Sequence, residues 1–195
     1  MRRFDGANWV PVGSLGFSAQ AAHYLAMAID AQDVPYVVFR DPSQGLKLTL
    51  MRYAPSPYTY CTAVVSSAGC TPQIAATGTP SVTGLAPFNI GATQVISQRT
   101  GMLLYSLKPA HSSFMGGTLC LLPPLERAGL QNSGGNPDGN DCTGVLEFDF
   151  NPLLQDGLHP AFIPGQMVFA QWWYRDQQNP NGPGLSNAVR FTIGL

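Results

Sequence analysis

Short runs rich in β-branched and aromatic residues recur along this chain, each bounded by Gly, Pro, Asn, Asp or Ser. Such runs predict strands, and the clusters between them predict turns. In the first fifty residues they fall at 7–12, 25–29, 36–39 and 46–53, separated by Gly13-Ser14 and by residues 30–35 and 41–45. Further along, candidates lie at 87–90, 95–98, 101–107, 117–122, 145–150, 167–175 and 188–193. Seven short strands with turn signals between them predict a β-sandwich. The run Val145-Leu146-Glu147-Phe148-Asp149-Phe150 alternates apolar and acidic residues, as a strand with one solvated face should. Residues 151–158 read as a short helix, with Asn151 as its cap and Pro152 at its first position. No stretch approaches the length of a membrane span.

The pattern divides the chain. Four strands in about fifty residues match one four-stranded propeller-type blade. Met1-Arg2-Arg3-Phe4 returns as Met51-Arg52-Tyr53, a shift of fifty positions. One blade leaves two sheet faces and an edge uncovered, so further propeller repeats are expected upstream. Ala54-Pro55-Ser56-Pro57 interrupts the repeat, and composition then shifts to Cys, Gly and Thr. The expected domains are therefore a partial propeller repeat at 1–57 and a sandwich-like module at 58–195.

Composition strengthens the all-β expectation: charged residues make up 11%, against 21 Gly and 17 Pro. The formal net charge is -1 and no basic run occurs, so a phosphate backbone or an anionic membrane surface has nothing to grip. Cys61, Cys70, Cys120 and Cys142 lack the CxxC spacing of zinc ribbons and redox sites, and disulfides are the better reading. Local pairing, 61–70 and 120–142, is the simplest of the three connectivities. Disulfides imply an oxidising, extracellular compartment, yet the first residues carry no apolar leader segment or cleavage site, so the start reads as truncated.

Candidate chemistry is sparse. His23, His111 and His159 fall in separate segments without partners at ligand spacing. Ser112 and Ser113 follow His111, but no GxSxG elbow is present. Glu147 and Asp149 share a strand face and form a pair of the kind used in glycoside hydrolysis, although a solvated strand face explains them more economically. Asn136, Asp138, Asn140 and Asp141 make an oxygen-rich loop whose alternate side chains fit a hard cation such as calcium, and equally fit an ordinary turn. No other cofactor is implied. Trp172, Trp173 and Tyr174 alternate between the two faces of a strand; an exposed ring there, beside Arg175, is a platform for a sugar, and a core anchor is the plainer role.

Two resemblances bear on these expectations. Trp9-Val10-Pro11-Val12-Gly13, Gly16-Phe17-Ser18, residues 25–30 and Pro35-Tyr36-Val37-Val38-Phe39-Arg40-Asp41 resemble a blade of the large bacterial secreted propellers with tectonin-like or sialidase-like repeats. The second segment resembles a C-terminal module of exported planctomycete and myxobacterial proteins. It does so through Tyr60-Cys61-Thr62, Gly69-Cys70-Thr71-Pro72, Gly78-Thr79-Pro80-Ser81, Gly101-Met102-Leu103-Leu104-Tyr105, Gly116-Gly117-Thr118-Leu119-Cys120, residues 131–136, Asp141-Cys142, Phe148-Asp149-Phe150-Asn151 and Ala170-Gln171-Trp172-Trp173. That resemblance implies an extracellular appendage on varied secreted proteins. The function expected is noncatalytic attachment, sorting or interaction with a cell-surface component or glycan. The alternative is a fragment of a sialidase-like glycan-processing enzyme, with Trp9, Tyr36, Phe39, Arg40 and Asp41 as parts of its scaffold.

Overall fold

The computed structural model describes residues 2–4, 8–11, 18, 20–29, 35–52 and 56–195. The chain is all-β and separates into two compact units, Met1–Pro55 and Ser56–Leu195.

In the first unit, β1 (Arg2–Phe4) pairs with β2 (Trp9–Pro11), and β3 (His23–Ile29), β4 (Pro35–Asp41) and β5 (Lys47–Arg52) form a separate antiparallel sheet in that order. The expected strand at 7–12 is seen as β2, paired to β1; residues 7 and 12 lie outside the described ones. The three-stranded sheet is thinly covered, with every residue of β3 exposed and Phe39 of β4 buried. A single 3₁₀ turn, Pro42–Gln44, joins β4 to β5. Asp41 starts it, its carboxylate accepting from the Ser43 N–H and hydroxyl, and Gly45 ends it at φ 66°, a left-handed conformation that costs glycine little.

The second unit is a disulfide-containing sandwich. Its strands are β6 (Tyr58–Tyr60), β7 (Gln73–Gly78), β8 (Phe88–Val95), β9 (Thr100–Ser106), β10 (Pro109–Phe114), β11 (Gly117–Leu121), β12 (Glu126–Asn132), β13 (Gly144–Asp149), β14 (Met167–Tyr174) and β15 (Gly184–Thr192). A five-stranded sheet runs β12-β9-β14-β15-β6, and a three-stranded sheet runs β13-β8-β7. Every strand pair in these two sheets is antiparallel. Side chains alternate across a pleated strand, so each face collects every second residue. Leu103 and Tyr105 of β9, Val168, Ala170, Trp172 and Tyr174 of β14, and Val189 and Phe191 of β15 meet Phe88, Ile90 and Ala92 of β8 and Leu146 of β13 in the main core.

The other face of the five-stranded sheet is also covered. The β10–β11 hairpin lays Leu119 and Leu121 against Leu104 and Phe169, with Trp173 packed at the margin of this second cluster. Gln171, on that face, has no exposed surface. It accepts from the Cys120 N–H at 3.0 Å and donates to Thr118 O at 3.0 Å and Ser186 O at 2.7 Å. One buried carboxamide thus satisfies three backbone groups on two elements.

The cysteine pairing differs from the local one. Cys61 is bonded to Cys120 and Cys70 to Cys142, across Cα distances of 6.4 and 5.4 Å. Cys61 directly follows β6 at the edge of the five-stranded sheet, and Cys120 sits on the covering hairpin. The bridge therefore fastens hairpin to sheet, beside the Tyr60 hydroxyl's bond to Cys120 O at 2.8 Å. Chain order misleads here because the segments flanking each local pair go to different layers.

Helix α1 (Asn151–Gln155) departs from its expected cap. Phe150 occupies the cap position and the Asn151 side chain makes no capping bond. Instead Asn151 is buried, donating to Thr79 O and Ala86 O and accepting from the Ser81 N–H, so it tethers the 79–86 loop. Pro152, as expected, lies in the first turn, where its missing N–H is no loss. One lateral opening of the sandwich is closed by Gln131 of β12: its amide donates to Glu147 O at 2.7 Å and accepts from the Glu147 N–H at 3.1 Å. The two bonds tie the edge strands β12 and β13 together at one point.

Candidate functional site

A pocket of the second unit lies where β9 ends. Tyr105, one residue before the end of that strand, points to the inner face, and the register places Glu126 of β12 directly beside it. After α1 the chain returns over this end of the sandwich. The Phe162 N–H donates to His159 O at 3.0 Å, a turn that holds the imidazole of His159 against both Tyr105 and Phe162. On the opposite wall the Ser106 hydroxyl donates to Leu122 O at 2.6 Å and the Leu122 N–H donates to Lys108 O at 3.0 Å, fixing the Leu122-Pro123-Pro124 segment to the strand end. The pocket, open on one side, has a volume of ≈ 270 Å³.

Tyr105 Oη and His159 Nε2 share a hydrogen bond of 2.9 Å, its direction set by the imidazole tautomer. Two further rings support the pair, whose own rings stand edge-on at 5.9 Å: Tyr105 is edge-on to Phe150 at 5.3 Å, and His159 lies tilted on Phe162 at 4.7 Å. Burial, then the negative charges of Glu126 and Asp156, push the Tyr105 phenol up to about 12. At neutral pH it carries its proton, which suits it to donate or accept a hydrogen bond and not to act as a phenolate nucleophile or base. Lys108 and Glu126 are exposed and contribute one charge of each sign to the lining. The walls are otherwise mainly apolar.

The aromatic run at 172–174 occupies a different setting. Trp172 and Tyr174 are 0% exposed in the main core, and Trp172 Nε1 donates to Ile90 O at 3.3 Å. Tyr174 faces glycine on both neighbouring strands, Gly101 on β9 and Gly184 on β15. A Cβ at Gly184 would lie 1.9 Å from its ring. Trp173 is half-buried against the hairpin cluster. A stacking platform needs an open ring face, which Trp172 and Tyr174 lack. Arg175 is exposed, and its N–H donates to Thr100 O. Asp176 turns inward to accept from the N–H and hydroxyl of Ser67.

The oxygen-bearing residues of the 136–141 loop bond to N–H and hydroxyl groups of the loop and to Arg99. Asn136 accepts from the Asp138 N–H, Asn140 from Arg99 Nη2 at 2.6 Å, and Asp141 from both the N–H and the hydroxyl of Thr143. Those Thr143 bonds, with a further one from Ser97, draw the Asp141 carboxyl down to about 2. These are the contacts of turns. Among the described residues, no group of three or more His, Cys, Asp and Glu is arranged to hold a metal ion.

The remaining candidates are dispersed. Asp149 accepts from the Phe88 and Asn151 N–H groups, while its neighbour Glu147 is exposed, so the two carboxylates do different work. His23 is exposed on β3, and His111, Ser112 and Ser113 are exposed on β10. In the first unit Arg40 Nε donates to Leu46 O, Tyr36 is half-buried and Asp41 caps the turn; the side chain of Trp9 lies outside the described residues.

No protein-family model, no curated protein and no solved structure matches this chain. Its function has to be argued from the site itself.

Proposed function

We propose that Ser56–Leu195 is a noncatalytic extracellular recognition module that attaches its parent protein to a cell-surface component, with glycan as the favoured ligand, through the Tyr105–His159 pocket. The observation that carries the reading is the state of Tyr105. Its hydroxyl, bonded to the His159 imidazole at 2.9 Å, is a fixed polar contact in a mainly apolar pocket, the usual make-up of a ligand site. Two bridges that join distant segments support the extracellular assignment, since such bonds persist in oxidising compartments.

The test uses the full chain on a glycan array and in a cell-envelope pull-down, beside a panel of glycosidase and esterase substrates. Binding without turnover is expected, and Ala161→Phe, which fills the pocket from a half-buried wall position, should abolish it while preserving the melting temperature. Turnover that disappears in His159→Ala or Tyr105→Phe would overturn the reading in favour of an enzyme. Binding unchanged by Ala161→Phe would move the site elsewhere.

A further inference from the structure

Resting on that reading, we infer that the pocket takes one pyranose ring, the terminal residue of a glycan, and does not run along a chain of sugars. The first ground is size. Pockets for drug-sized ligands span about 300 to 1,000 Å³, and this one, at ≈ 270 Å³, admits a single ring-sized ligand.

The second ground is the distribution of chemistry on its walls. Phe162, Leu122 and the Pro123-Pro124 pair offer carbon surface against which the C–H face of a sugar can lie. Lys108 supplies N–H donors and Glu126 supplies acceptor oxygens, while Tyr105 and His159 add a neutral hydroxyl and a ring nitrogen. With one charge of each sign in a small lining, net charge favours neither an anion nor a cation. A purely apolar ligand would strip water from both charged groups without replacing it. A neutral ring bearing several hydroxyls, each both donor and acceptor, answers every one of these groups.

The experiment is ligand-observed NMR with the full chain and the methyl pyranosides of glucose, galactose, mannose and N-acetylglucosamine, followed by competition against the strongest array glycan. At least one methyl pyranoside should bind and should displace that glycan. Glu126→Gln and Lys108→Gln change exposed side chains, so the fold is retained, and each should weaken the bound pyranoside about tenfold, the loss of the charge from one hydrogen bond. Trimming the array glycan with an exoglycosidase that removes its terminal residue should abolish capture. Capture that survives trimming, with no pyranoside competing, would overturn the single-ring inference and leave the glycan reading standing. If the array and all four pyranosides are silent while methyl phosphate, acetate or tetramethylammonium binds, both fall.

Discussion

The bridge pairing makes a quantitative prediction that separates it from the local alternative. In the chain-entropy account, a cross-link stabilises by limiting the unfolded chain, more so for longer loops. Local bridges 61–70 and 120–142 would act independently, and their short loops would contribute about 2.6 and about 3.4 kcal/mol respectively. The observed bridges span 59 and 72 residues and overlap. With one bridge intact, the other closes a path of roughly 31 residues, made of segments 61–70 and 120–142 joined through the remaining bond, whichever bridge is removed. Either loss should then cost the same, about 3.7 kcal/mol. The comparison is balanced, because each pair contains one buried sulfur, Cys120 or Cys70, and one more exposed, Cys61 or Cys142. Urea unfolding of Cys61→Ala/Cys120→Ala and Cys70→Ala/Cys142→Ala, followed by near-ultraviolet circular dichroism, should give equal losses. The crossed variant Cys61→Ala/Cys70→Ala should titrate with two free thiols. A bond between Cys120 and Cys142 in that variant, or unequal losses in the first two, would refute the reasoning.

Three further outcomes are expected. Gly184→Ala places a methyl 1.9 Å from the Tyr174 ring, inside a fully buried pair, and should lower stability by about 1 to 3 kcal/mol, read as a reduced urea midpoint; no change in the midpoint would show that the ring moves freely. Gln171→Leu removes the partner of Cys120 N, Thr118 O and Ser186 O and should cost about 2 to 4 kcal/mol, with faster proteolysis of the β10–β11 hairpin as its local signature. Two pH limits should appear: Tyr105, raised from 10.0 to about 12, contributes stability that is complete below 10 and lost as pH rises toward 12, a loss absent in Tyr105→Phe. Asp141, lowered from 3.8 to about 2, contributes stability present above 3.8 and lost as pH falls toward 2, which Asp141→Asn should remove.

How far the fold was legible follows from where each strand sits. Strands β8, β9, β13, β14 and β15 carry long apolar or alternating runs because each has a face in the main core, and those runs mark them in the sequence. In the second unit the unmarked strands are β6, β7, β10 and β12. Three of them are sheet edges and the fourth belongs to a two-stranded hairpin. Gln73–Gly78, QIAATG, and Glu126–Asn132, ERAGLQN, have too few large apolar residues to show a period of two. An edge strand is defined by pairing on one side only, and polar, small residues are what keep its free side from aggregating. The property that makes such strands tolerable also hides them.

The site was less legible than the fold for a related reason. Tyr105, Glu126 and His159 come from three segments, and only the β9–β12 register and the return of the chain after α1 bring them together. No local spacing records a contact between residues 105 and 159. The run Trp172-Trp173-Tyr174 illustrates the same limit. Alternation assigns Trp172 and Tyr174 to one face and Trp173 to the other, as found, but cannot say whether either face meets water. That depended on distant cover: the three-stranded sheet over one face, and over the other a hairpin held by Gln171 and the Cys61–Cys120 bridge. The glycines opposite Tyr174 carry complementary information, since each is a place where a large ring crosses from a neighbouring strand. Read together, a buried aromatic and its cross-strand glycines imply a core position that the aromatic run alone leaves open.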